Sequence, residues 1–195
     1  MANTGTFMTG LAFTAALFTA GQAPAAQDDQ PMLVLHVDNY ARIPPATLAR
    51  AEAEAARVYA AAGVRTTWVH GDDEANARDA GGLHLRVLLL CKDMTRRKVE
   101  TDRIGDYVLG RAAHPTARAY IFTPRVVDAA LRHSRSFEKV LGSIIAHEVG
   151  HLLLPEGSHS ATGIMREHVN LANNHFDTFT MPQAAEIQMA LNVSR

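Results

Sequence analysis

Between Phe137 and Leu152 the apolar residues fall at Phe137, Val140, Leu141, Ile144, Ile145, Val149 and Leu152. That spacing is the period of an α-helix with one buried face. Ser136 can cap its first turn, and Pro155 and Gly157 end it soon after Leu154. The helix carries His147-Glu148-Val149-Gly150-His151. Histidines four apart lie on one helical face, a turn from each other. Their imidazoles can converge on one metal ion. Zinc accepts such nitrogens at about 2.0–2.1 Å and keeps a fourth position open for water in catalytic sites. Glu148 can reach that water, take its proton during attack on a carbonyl, and return it to the leaving amine. The motif carries this meaning only on a helix.

Downstream the chain runs Leu152-Leu153-Leu154-Pro155-Glu156-Gly157-Ser158-His159, then Ser160-Ala161-Thr162-Gly163-Ile164-Met165. With the motif, this stretch resembles the metzincin metallopeptidases, whose pattern is His-Glu-x-x-His-x-x-Gly-x-x-His followed by a Met-turn. His147, Glu148 and His151 match in place. Leu154 stands at the family's glycine and Gly157 at its third histidine, and His159 follows two residues later. The two extra residues add at most ~7 Å of chain, which a wider loop absorbs. Ser158 and Ser160 flank His159 and can fix that loop by local hydrogen bonds. The resemblance implies Zn²⁺ held by His147, His151 and His159, with Glu148 as general base and then acid. Gly163-Ile164-Met165 is similar to the Met-turn, which implies Met165 beneath the metal. Glu156 and Glu167 are rival third ligands, and His168 and His175 are candidates for the substrate pocket. No tyrosine follows Met165 to stabilise an oxyanion, so that task falls to zinc or to a residue the sequence does not identify. His36, His70, His84, His114 and His133 lack partner spacing and read as structural or surface residues.

The rest of the chain supplies a scaffold. Met32 to Val37, Val64 to Val69 and Leu83 to Leu90 read as strands, the last apolar enough to be central. Pro44 and Pro45 open a helix to about Ala62 with an apolar stripe of Leu48, Ala51, Ala55, Val58 and Ala62. The strand–helix–strand order predicts a right-handed crossover and a mainly parallel sheet. His70 to Gly82 is a polar loop, and Asp93 to Asp102 is a solvated loop or short helix. Asp106 to Ala112 and Ala117 to Phe122 are two more strands, and Pro124 to His133 is helical. Thr180-Met181-Pro182-Gln183 opens a last helix with Ile187 and Leu191 inward. The predicted fold is α+β and zincin- or metzincin-like. It has a five-stranded, mixed, mostly parallel sheet, an active-site helix and a small C-terminal helical subdomain. By the resemblance, the fourth strand is an antiparallel edge over the cleft. Val108, Leu109, Gly110, Arg111 and Ala112 would be that edge, open to an extended peptide by strand addition.

Phe7 to Ala20 is apolar and is followed by Gly21, Ala23, Ala25 and Ala26. This reads as a signal peptide over residues 1–26, despite the absence of Lys or Arg before Arg42. Residues 31–195 then form a single domain, secreted or periplasmic, with no membrane span in the mature chain. Cys91 is the only cysteine, so no internal disulfide forms, and it reads as a buried inert thiol. A net charge of −1 leaves no footprint for nucleic acid. These features predict a secreted zinc metalloendopeptidase acting on a peptide or protein substrate. Two alternatives stand beside it: a non-catalytic zinc- or peptide-binding domain, and a zinc hydrolase of a non-peptide amide.

Overall fold

The computed structural model describes residues 1–2, 30–71, 81–167 and 177–193. Residues 3–26 of the signal-peptide segment and the residues His168 and His175 lie outside the described residues. Five strands form one sheet in the order β2-β1-β3-β5-β4. They are β1 (Met32–Asn39), β2 (Arg65–His70), β3 (Leu83–Leu90), β4 (Gly110–Ala113) and β5 (Arg118–Phe122). β1 pairs in parallel with β2 and β3, and β3 in parallel with β5. Only β4 is antiparallel, and it forms one edge of the sheet. This is the predicted mixed α+β sheet.

Alternation along the strands creates two faces. Leu33, Leu35 and Val37 of β1 and Leu85, Val87 and Leu89 of β3 enter the main core. Against that face pack α1 (Pro45–Ala61) and α4 (Phe137–Leu153). The predicted stripe of α1 is buried, joined by Tyr59, whose hydroxyl donates to Ala146 O of α4 at 3.0 Å. At Gly142 the two helices meet closely: a Cβ there would lie 2.4 Å from Ala51 O. Each aliphatic side chain buried in this layer contributes roughly 1.5–3 kcal/mol.

The second face departs from expectation. The charged run is helix α2 (Lys92–Asp102), and it is not simply solvated. Met94 and Val99 pack with Ile104 over Leu88, Leu90 and Phe122. Cys91 is half-buried at the N-cap of α2 rather than within the strand. The fourth strand also differs. Its ladder begins at Gly110, so Asp106 to Leu109 lie outside it and Ala113 lies inside. The cause is the register: Leu109 faces Phe122, the last residue of β5, and the residues before it would face α3 (Thr123–Arg132) instead of a strand. There the Arg125 guanidinium donates to Gly105 O at 2.7 Å and Val108 O at 2.9 Å, which ties that stretch to α3. The last helix, α5 (Met181–Val193), buries Ile187 and Leu191 as predicted. Among the described residues no helix is long and apolar enough to cross a membrane.

Candidate metal centre and cleft

α4 begins as its sequence predicts: Ser136 Oγ accepts from Lys139 N. Its buried face faces the sheet, and its C-terminal half carries His147, Glu148 and His151. Leu154 leaves the helix in an extended conformation, and Gly157 turns the chain at φ +77°. His159 thereby returns to the helix. Its Nε2 lies 3.0 Å from His151 Nε2, which lies 3.1 Å from His147 Nε2. Among the described residues these three are the group with convergent donor atoms, all within 4.8 Å of one another. Glu156 and Glu167 line the same cleft but do not join the cluster.

The donor set fits zinc. Four nitrogens held tetrahedrally at 2.0–2.1 Å from an ion stand about 3.3 Å apart. The observed separations are close to that. His147 Nδ1–H donates to Ile164 O at 2.8 Å, which fixes the tautomer and turns the Nε2 lone pair into the cluster. Burial lowers the pKa of His147, and burial with the neighbouring imidazoles lowers that of His151 to about 4. Both are therefore neutral donors at physiological pH.

Met165 is fully buried, with its Sδ against Gly150 of the motif helix. Gly150 makes room for it: a Cβ there would lie 2.7 Å from Met165 Sδ. The Gly163-Ile164-Met165 turn is held on both sides. Ile164 N donates to Thr178 O, and Ser160 N to Met165 O, each at 2.9 Å. Gly163 adopts φ +80°, where a side chain would be strained and would also strike Thr178 O.

The loop bearing His159 is not fixed by the hydroxyls of both flanking serines. Ser160 Oγ does donate locally, to Thr162 O at 2.7 Å, but Ser158 Oγ is buried without a partner among the described residues. The brace is Gln183 of α5. Its Nε2 donates to Ser158 O at 3.0 Å and Ser160 Oγ at 3.2 Å, while its Oε1 accepts from Thr180 N. In the sequence Gln183 stands out only as part of the stretch that opens the last helix.

Glu148 lies against the edge strand. Burial raises its pKa to about 8, opposed by a hydrogen bond from Ala112 N–H and by the Arg111 charge. Gly110 touches it so closely that a Cβ there would lie 2.6 Å from Glu148 Cγ. The ladder explains why. Phe122 N donates to Leu109 O, and residues facing each other in an antiparallel pair alternate between bonded and open. Arg111 and Ala113 therefore bond towards β5, while Gly110 and Ala112 direct their backbone groups outward. The outward Ala112 N–H meets Glu148. The Gly110 N–H and C=O and the Ala112 C=O remain on the open side.

The cleft holds about 520 Å³. Val108 and Leu109 line it although they precede the ladder, as do His114, Arg132 and His133. Neither His114 nor His133 was singled out by spacing, because only the tertiary fold brings them here. His36 and His84 instead pair with each other at 2.9 Å, and His70 meets Glu52 at 3.2 Å, as structural histidines do.

No protein-family model and no curated protein sequence matches the chain. Solved structures do. A zinc-dependent peptidase from Methanocorpusculum labreanum (strain Z) matches with TM-score 0.50 at 13% identity, over 80% of this chain and 99% of that one. An archaemetzincin from Methanopyrus kandleri matches with TM-score 0.48 at 14% identity, over 85% and 98%. The chain thus shares the fold of the Methanocorpusculum protein, and its His147, His151 and His159 cluster is consistent with a His-Glu-x-x-His…His zincin site.

Proposed function

We propose that this protein is a zinc-dependent peptidase of metzincin type, with His147, His151 and His159 as ligands and Glu148 as general base. The observation that carries the reading is the convergence of three imidazole nitrogens beside a buried carboxylate on an open cleft. Bound zinc would polarise the scissile carbonyl and lower the pKa of its water. Glu148 takes the water proton and later delivers it to the leaving amine. Ala112 N–H orients its carboxylate, and a nearby dication favours the charged form that a base requires. Met165 packs beneath the ligands and holds their helix and loop in register. The open edge of Gly110 and Ala112 accepts an extended peptide by strand addition. An exported, secreted or periplasmic, location belongs to the same proposal and is supported by the composition of residues 1–26.

Glu148→Gln tests the reading. It should retain zinc, measured by elemental analysis after dialysis, and lose cleavage of a peptide library by at least a hundredfold. Chelation should abolish wild-type cleavage. Undiminished cleavage by the variant would sink the mechanism, and zinc binding without any cleavage by wild type would favour a binding domain.

A further inference from the structure

The cleft has a direction. Gly110 packs against Glu148 and Ala112 N–H bonds it, while His114, further along the chain, shares the cleft with His151, the next turn of the helix, and is near enough to perturb it. β4 and α4 therefore run the same way along the cleft. Ile144 lines it one turn before Glu148, together with Ala129, Arg132 and His133 from the end of α3. Glu156 and His159 come after Leu153, the last residue of α4. Ile144 and Leu153 are about 14 Å apart along the axis at 1.5 Å per residue. The acidic wall at Glu156 and the basic wall at Arg132 thus stand at opposite ends.

Antiparallel strand pairs outnumber parallel ones roughly two- to three-fold. A peptide added in that sense to β4 enters at His114 and leaves past Leu109. Its residues after the scissile bond then lie over Ile144 and reach the end of α3. Arg132 is exposed there and has no hydrogen bond or ion pair among the described residues. We propose that Arg132, with His133 beside it, forms a carboxylate-binding subsite for the part of the substrate C-terminal to the scissile bond. This rests on the peptidase reading of the same cleft. Ile144 lies about 6 Å along the helix from Glu148, and an extended chain advances about 3.3 Å per residue. The carboxylate therefore belongs two or three residues after the bond. It can be an Asp or Glu side chain or the peptide's own C-terminus.

The test measures binding apart from turnover. Zinc-loaded Glu148→Gln protein is titrated with fluorescent peptides in matched pairs: Asp against Asn at those positions in amidated peptides, and free acid against amide at the C-terminus. In at least one pair the carboxylate form should bind tenfold tighter or better, with a gap that shrinks as salt rises. Which pair shows the gap identifies the source. Adding Arg132→Gln should bring the two forms within about twofold, and Arg132→Lys should keep part of the gap. Equal affinity in both pairs overturns the subsite. So does a gap that survives Arg132→Gln, or one lost in Arg111→Gln but not in Arg132→Gln. Wild-type protein is then given the same peptides. Selective binding without cleavage would overturn the peptidase reading and leave the subsite standing, whereas cleavage without carboxylate preference would do the reverse.

Discussion

Single residues decide whether this site is geometry or merely composition. Glu148 is useful as a base only if its carboxylate points at one place, and Gly110 and Ala112 give it little choice. Gly110→Ala places a methyl 2.8 Å from Glu148 Oε1, so the carboxylate must swing away. Misplacing a reacting group by about 1 Å costs on the order of a hundredfold in rate. We expect kcat to fall by roughly 10- to 100-fold while zinc content stays at wild-type level, measured by steady-state cleavage and metal analysis. A variant with unchanged kcat would show that the strand does not orient the base. His147, Glu148 and His151 were legible because helical spacing alone puts them together. Gly110 was not, because its partner lies 38 positions away and only the sheet order brings them into contact.

Among the elements, α4 depends on how its first turn is anchored. Glu138 accepts from Ser136 Oγ at 2.7 Å and from Arg50 of α1 at 2.7 and 3.1 Å. These bonds, Ser136 first, lower its pKa from 4.5 to about 2. The unfolded chain therefore binds more protons than the native one between those values. Stability from Glu138 is fully present above about pH 4.5 and is lost as pH falls towards 2. Because the pair is partly exposed and screened, its share at neutral pH is about 1 kcal/mol. Urea denaturation of the metal-free protein should show Glu138→Gln less stable at pH 7 and converging with wild type near pH 2. A constant difference across that range would assign the loss to helix packing instead. The same scale shows what pattern could and could not reveal. β1, β3 and the motif helix are written in apolar periodicity. α2 is mostly charged, so its helix could not be told from a loop, and β4 begins late because its partner β5 ends at Phe122, a boundary set by the helix that follows it.

Across the whole molecule, α4 supplies two imidazoles and the Glu148 carboxylate, but the loop of the third imidazole is braced from α5. Gln183→Ala removes both donations to the His159 loop. Two neutral hydrogen bonds are worth about 1–2 kcal/mol here, which corresponds to a zinc affinity weakened about tenfold. Competition with a chromophoric chelator measures it, and wild-type affinity in the variant would place the loop's order elsewhere. The third imidazole of the cluster was legible in the sequence as the next histidine after the motif. Its support was not, since Gln183 is 25 positions from Ser158 and carries no metal-site signature. That separation also sets an order of events. At about 5–20 residues per second of synthesis, one to several seconds pass between translation of His159 and of Gln183. Through that interval a growing chain carries two imidazoles and a third on a loop that lacks its Gln183 brace, so the centre is completed only after translation has moved well past it.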